Sequence, residues 1–257
     1  TQISCLNDSS EFQYGRGLYC EAVNNLNLLN DDADFLRKEI VKELENSTTR
    51  LDAWFITCFS AVRDDLSQWR AYGGGENGYS IGFHGTQLDE IARSKGIVLL
   101  PVNYNEQLHQ QTAQKLAEKT IEFYLQGLAD RPGCDRKDWG KAFLGEWSLQ
   151  IAIFQAVMKD KAFDTENEWR LVHQLKLSDF DDMRFVQKTS MMSRHLPIRY
   201  PPPNDVTSNL LPIREVMVGP SRHKHVSQVS VNALMRSYGY PGTTWNATLS
   251  SIPYQGT

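Results

Sequence analysis

The chain has 257 residues, 40% of them hydrophobic and 23% charged, which is enough apolar material to bury a sizeable core in one large or two small domains. A formal net charge of −4 supplies no global positive field and so excludes a general nucleic-acid or membrane-surface binder. No apolar run approaches the roughly 20 residues that cross a bilayer, and no secretory leader is visible.

Cys5, Cys20, Cys58 and Cys134 form no C-x-x-C pair, so neither a zinc knuckle nor a disulfide framework is expected, and a reducing cytoplasm is the expected setting. In chain order, residues 1–6 have strand character but begin without a cap or turn. Asn7-Asp8-Ser9-Ser10-Glu11 then reads as a helix start, predicting a helix over 10–24. Phe35, Leu36, Ile40, Val41 and Leu44 recur at helical spacing and predict a second helix over 32–45. The continuous apolar run 54–60 reads as a buried strand, with Cys58 inside it as inert core. Asp64 or Asp65 starts a short helix through Trp69 and Tyr72, stopped by Gly73-Gly74-Gly75. Asn77-Gly78 makes a turn into a strand over 79–83, and another strand is expected over 98–104.

Two longer helices are predicted over 106–128 and 141–158. The second carries Phe143, Leu144, Trp147, Ile151, Phe154 and Val157 at core-facing intervals. Strands over 166–172 and 213–220, a helix over 224–238 and a closing strand over 249–254 complete the chain, with Pro201-Pro202-Pro203 as a surface loop. Strands and helices mix without a strict βαβ rhythm. The expected fold is therefore α+β, as a single domain over 1–257.

Glu166-Asn167-Glu168-Trp169-Arg170-Leu171-Val172 carries the sharpest chemistry. Alternation along a strand puts Glu166, Glu168 and Arg170 on one face and Trp169 and Leu171 on an apolar one. Clustered carboxylates on a partly buried surface are either paired or used, so Glu168 is a candidate catalytic group with Glu166 as helper. The plainer reading is an exposed edge strand in which Arg170 pairs with Glu168.

Several segments together resemble a large, mostly bacterial family of unknown function. They are Leu6-Asn7-Asp8 through Phe12, Cys58-Phe59-Ser60, Trp69-x-x-Tyr72-Gly73, Gly78 to Phe83, Glu166 to Arg170, Val218-Gly219-Pro220 and Ser251 to Tyr254. In that family a segment with a His-Tyr-Thr motif precedes the first strand, so this chain is expected either to lack that element or to be preceded by it. The motif order also resembles ADP-ribosyltransferases. That resemblance implies a split mixed or antiparallel sheet flanked by helices, a cleft in that sheet holding NAD as substrate, Glu168 and Glu166 as catalytic residues, and Tyr79, Ser80, Arg70, Trp69 and Tyr72 as cofactor contacts. It further implies a protein or nucleic-acid acceptor and a setting in bacterial defence or stress.

Each contact has a plainer alternative: Trp69 as core, Arg70 as a solvated side chain, and Tyr79 and Ser80 as parts of an ordinary half-buried strand. Two other functions compete with the transferase. One is a non-catalytic nucleotide- or partner-sensing module. The other is a nuclease in which Asp64, Asp65 and the two glutamates gather a magnesium ion.

Overall fold

The computed structural model describes residues 10–46, 53–74, 78–187, 192–198 and 210–253. In chain order its elements are α1 (Ser10–Asn24), α2 (Asp31–Asn46), β1 (Trp54–Ser60), α3 (Leu66–Tyr72), β2 (Tyr79–Phe83), α4 (Gly85–Ser94), β3 (Val98–Pro101), α5 (Glu106–Ala129), α6 (Arg136–Val157), β4 (Glu168–Gln174), β5 (Arg184–Gln187), β6 (Met192–His195), β7 (Ile213–Val218), α7 (Lys224–Ser237) and β8 (Asn246–Leu249). Short 3-10 helices span Lys161–Glu166 and Leu177–Asp182. The architecture is mixed α+β with small antiparallel and mixed sheets. The chain divides into two compact units, residues 1–59 with 97–197 and residues 60–96 with 198–257.

The first unit is built on α1, α2, α5 and α6. Side-chain oxygens start three of these helices. Asn30 accepts from the N–H groups of Asp32 and Ala33, Asn105 from Leu108, and Asp135 from Lys137 and Asp138. The apolar stripes meet in a core of Tyr19, Val23, Leu36, Ile40, Ala117 and Tyr124, all essentially solvent-free. The buried Thr120 is fully used in this core: its hydroxyl donates to Leu116 O, accepts the Trp147 indole N–H at 2.7 Å and meets the Tyr19 hydroxyl at 2.9 Å. Gly15 permits the close crossing of α1 over α6, since a Cβ there would lie 2.8 Å from Gln155 Cα.

The sheet of this unit has the order β1-β4-β3, with β3 antiparallel to β4. One face, lined by Trp54, Ile56 and Val172, packs on Ala152 and Ala156 of α6. Val102 N–H donates to Glu168 O. Because backbone groups alternate in direction along a strand, the neighbouring Pro101 nitrogen therefore faces away from β4.

In the second unit β2 runs antiparallel and β8 parallel to β7, in the order β2-β7-β8. Val231 and Met235 of α7 pack on Val216, Val218 and Trp245. Asp65 caps α3 by accepting from Gln68 N–H.

Several expectations need correction. The acidic strand begins at Glu168, two residues later than predicted, because Glu166 ends a 3-10 helix and Asn167 turns the chain with φ 43°. The strand is central in its sheet instead of at an edge, and Trp169 is 38% exposed instead of lying in an apolar layer. α6 starts five residues early, at the Asp135 cap; β3 ends at Pro101; the closing strand is Asn246–Leu249. α4 and the β5–β6 hairpin lay outside the sequence reading. The predicted strand over 1–6, Asn7 to Ser9 of the cap cluster that follows it, Gly75, Asn77, Pro201 to Pro203 and Tyr254 fall outside the described residues.

Candidate functional site

Two residues apart on β4, Glu168 and Arg170 point to the same face, and both are buried, at 6% and 1% exposure. Arg170 Nε donates to Glu168 Oε1 at 2.8 Å and its Nη2 to Oε2 at 2.8 Å, a bidentate pair, while Nη1 donates to Ala156 O at 2.7 Å. Lys159, buried just beyond α6, donates to Glu168 Oε2 at 3.0 Å and to Glu166 Oε2 at 2.6 Å. Its ammonium also lies 4.9 Å from the Phe163 ring centre. The Cys58 thiol completes the ring of partners around Glu168. Burial alone would raise the Glu168 carboxyl, but Arg170, the Cys58 thiol and Lys159 outweigh it and hold the carboxyl below its ordinary range, ionised at neutral pH.

Cys58 therefore differs from its sequence reading: it is exposed and sits at the charged end of the sheet face whose other end, at Trp54 and Ile56, is dry. Tyr104 ties this centre to its surroundings by accepting Glu168 N–H at 3.0 Å. Burial pushes the Tyr104 phenol up, so it stays protonated at neutral pH.

Tyr104 also lines an open groove of about 910 Å³ in the same unit. Its floor is apolar, from Val102, Val157 and Met158. Its rim is polar and charged, with Glu106 at the start of α5 and Lys161 and Asp164 from the 3-10 helix that leads to Glu166. His109, wholly buried, braces one wall by pairing through Nε2 with Asn103 O at 2.8 Å and through Nδ1 with the Tyr14 hydroxyl at 2.9 Å.

The remaining sequence candidates, Trp69, Arg70, Tyr72, Tyr79 and Ser80, belong to the second unit, whereas Glu166 and Glu168 belong to the first. Trp69 serves a structural junction there. Its indole N–H donates to Asp64 Oδ1 at 2.7 Å, and its ring lies where a Cβ on Gly219 would come within 2.9 Å. Asp64 also accepts the Ser250 hydroxyl at 2.8 Å and both the N–H and the hydroxyl of Ser251. Gly219 N–H donates to Gly78 O at 2.9 Å.

Asp64 thus joins Trp69-x-x-Tyr72-Gly73 to Ser250 and Ser251, while Gly219 of Val218-Gly219-Pro220 packs on the same Trp69 ring and Val218 O accepts Ser250 N–H at 2.8 Å. Arg70 and Tyr72 are exposed; Tyr79 is half exposed on β2 and Ser80 partly buried opposite Met217. The magnesium grouping needed by a nuclease does not form: among the described residues no set of three His, Cys, Asp or Glu side chains could hold a metal ion.

Sequence reading missed Lys159, Tyr104 and the groove. The available signal was a lysine directly after the apolar run of α6, a position where an unpaired charge would be costly.

No helix among the described residues is long and apolar enough to cross a membrane. No curated protein and no solved structure matches the chain, and the likeness to ADP-ribosyltransferases finds no support in these comparisons. Residues 68–171 match a family model described as a protein of unknown function (DUF2971), and they run from the Trp69 junction through the groove to the Glu168–Arg170 pair. Over residues 68–171 the chain is therefore similar to this family of unknown function.

Proposed function

We propose that the chain is a non-catalytic nucleotide-sensing module whose ligand seat is the groove of the first unit. The observation that carries the reading is the engagement of Glu168: Arg170 takes both of its oxygens and Lys159 shares one. Electrostatic catalysis at a sugar cation needs a carboxylate oxygen aimed at the substrate, and a carboxyl held below its ordinary range is a weak base. The groove beside it is open and bears both hydrogen-bonding and apolar lining. The test is incubation of the protein and its Glu168→Gln variant with labelled NAD, following nicotinamide release. Release no faster than in buffer is expected from both. Release by the unaltered protein that disappears in the variant would sink the reading.

That opposite result would support a second reading, an ADP-ribosyltransferase-like fold and enzyme using NAD as substrate to modify a protein or nucleic acid, in bacterial defence or stress. In it Glu168 is the principal catalytic group, Glu166 its helper, and Tyr79, Ser80, Arg70, Trp69 and Tyr72 the cofactor contacts. It is favoured by one feature: Lys159 is shared with the more exposed Glu166, so a shift of the ammonium toward Glu166 would leave Glu168 Oε2 with Arg170 Nη2 as its one remaining cationic partner.

A further inference from the structure

The geometry points to a nucleoside, carrying at most one phosphate, as the occupant of the groove. This rests on the groove being the ligand seat and adds the chemical class of the ligand. The charged rim consists of the carboxylates of Glu106 and Asp164 against the single ammonium of Lys161. A di- or triphosphate brings several negative charges and needs several cations or a run of backbone N–H groups, so this rim repels it.

The neutral lining is specific in a different way. Asn105 N–H donates to Asn103 Oδ1 and Leu108 N–H to Asn105 Oδ1, which fixes both amides by their oxygens. Their NH₂ groups have no acceptor among the described residues, and neither does the Tyr104 O–H, whose oxygen already accepts from Glu168 N–H. The groove therefore presents donors over an apolar floor and acceptors at its rim.

An aliphatic ammonium would meet the amide donors with the wrong sign, and a purely apolar ligand would strand them. A nucleoside satisfies the whole set. Its flat base covers the floor of Val102, Val157 and Met158, its ring nitrogens and carbonyls accept from the amides, and its ribose hydroxyls donate to Glu106 and Asp164. Lys161 can balance one phosphate.

Calorimetric titration of the full chain with adenosine, guanosine, AMP, ATP, NAD and spermidine tests this. At least one nucleoside should bind ten-fold or more tightly than ATP or NAD. The paired change Glu106→Gln with Asp164→Asn should weaken the nucleoside about ten-fold while narrowing the gap to ATP. Tighter binding of ATP, NAD or spermidine, no nucleoside binding at millimolar concentration, or an unchanged nucleoside affinity in the paired variant would overturn the proposal. ATP or NAD bound more tightly in the groove would still leave a non-catalytic nucleotide-sensing module standing, whereas Glu168-dependent nicotinamide release would remove that reading whatever the titrations give. A circular dichroism spectrum of the paired variant matching the unaltered chain separates lost affinity from lost folding.

Discussion

Arg170 grips Glu168 through two parallel hydrogen bonds of 2.8 Å, although both side chains are nearly inaccessible to water. A buried pair of this kind gives little net stability over an apolar pair, but removing one partner leaves an uncompensated charge. Glu168→Leu or Arg170→Met alone should each destabilise the first unit by about 3–5 kcal/mol. The double variant should recover much of that, because Lys159 keeps Glu166 as its partner. A double-mutant cycle in urea checks the coupling, and additive single effects would contradict it.

Acid should unfold the protein through the same centre. The folded Glu168 carboxyl lies below its ordinary range, so the stability it contributes is complete above about pH 4.3, the usual glutamate value, and disappears as pH falls through the lower folded value. Asp64 acts in the same direction: burial would raise its carboxyl, but the bonds from Trp69, Ser250 and Ser251 outweigh it. Denaturation midpoints should be insensitive to these two groups from pH 6 to 8 and fall below about pH 4. Asp64→Asn should make the acid fall of the second unit shallower, read by the Trp69 and Trp245 fluorescence of that unit in single-tryptophan backgrounds.

The junction around Asp64 predicts a steric effect within the second unit. Gly219→Ala would place a methyl 2.9 Å from the Trp69 ring and 3.0 Å from Gly78 O. Overpacking of that kind costs about 1–3 kcal/mol. Thermal unfolding should show the loss, and Gly17→Ala, where no atom lies within 4 Å, should show none.

Thr120 gives a chemical counterpart in the helical core. Thr120→Val preserves the shape but leaves the Tyr19 hydroxyl and Trp147 indole N–H without their shared partner, at a cost of about 1–3 kcal/mol for each stranded group. Thr120→Ser keeps the hydroxyl and should lose less. Equal losses for the two substitutions, measured by chemical denaturation, would refute the assignment of the hydroxyl as the hub.

Local signals explain what could be read before folding. The helix over Ser10–Asn24 and the strands Trp54–Ser60 and Tyr79–Phe83 lie where apolar spacing and flanking turns put them, because those periodicities depend only on neighbouring residues. The start of β4 is hidden in the sequence because Asn167 takes a left-handed turn that no apolar pattern announces. Pairing of Arg170 with Glu168 was legible from their two-residue spacing. The burial of that pair was not, since it depends on β4 being the middle strand, a long-range choice. Trp69 and Ser251 carry recognisable motifs, but their common purpose lies in Asp64, which stands 187 residues from Ser251.

Pro101 has a consequence for the molecule in a crowded solution. Its ring nitrogen, turned outward from the β4 side, offers no hydrogen to an incoming chain, so β3 is a poor template for intermolecular strand addition. Replacing it with valine would restore that donor and make the outer edge of β3 a better template for strand addition.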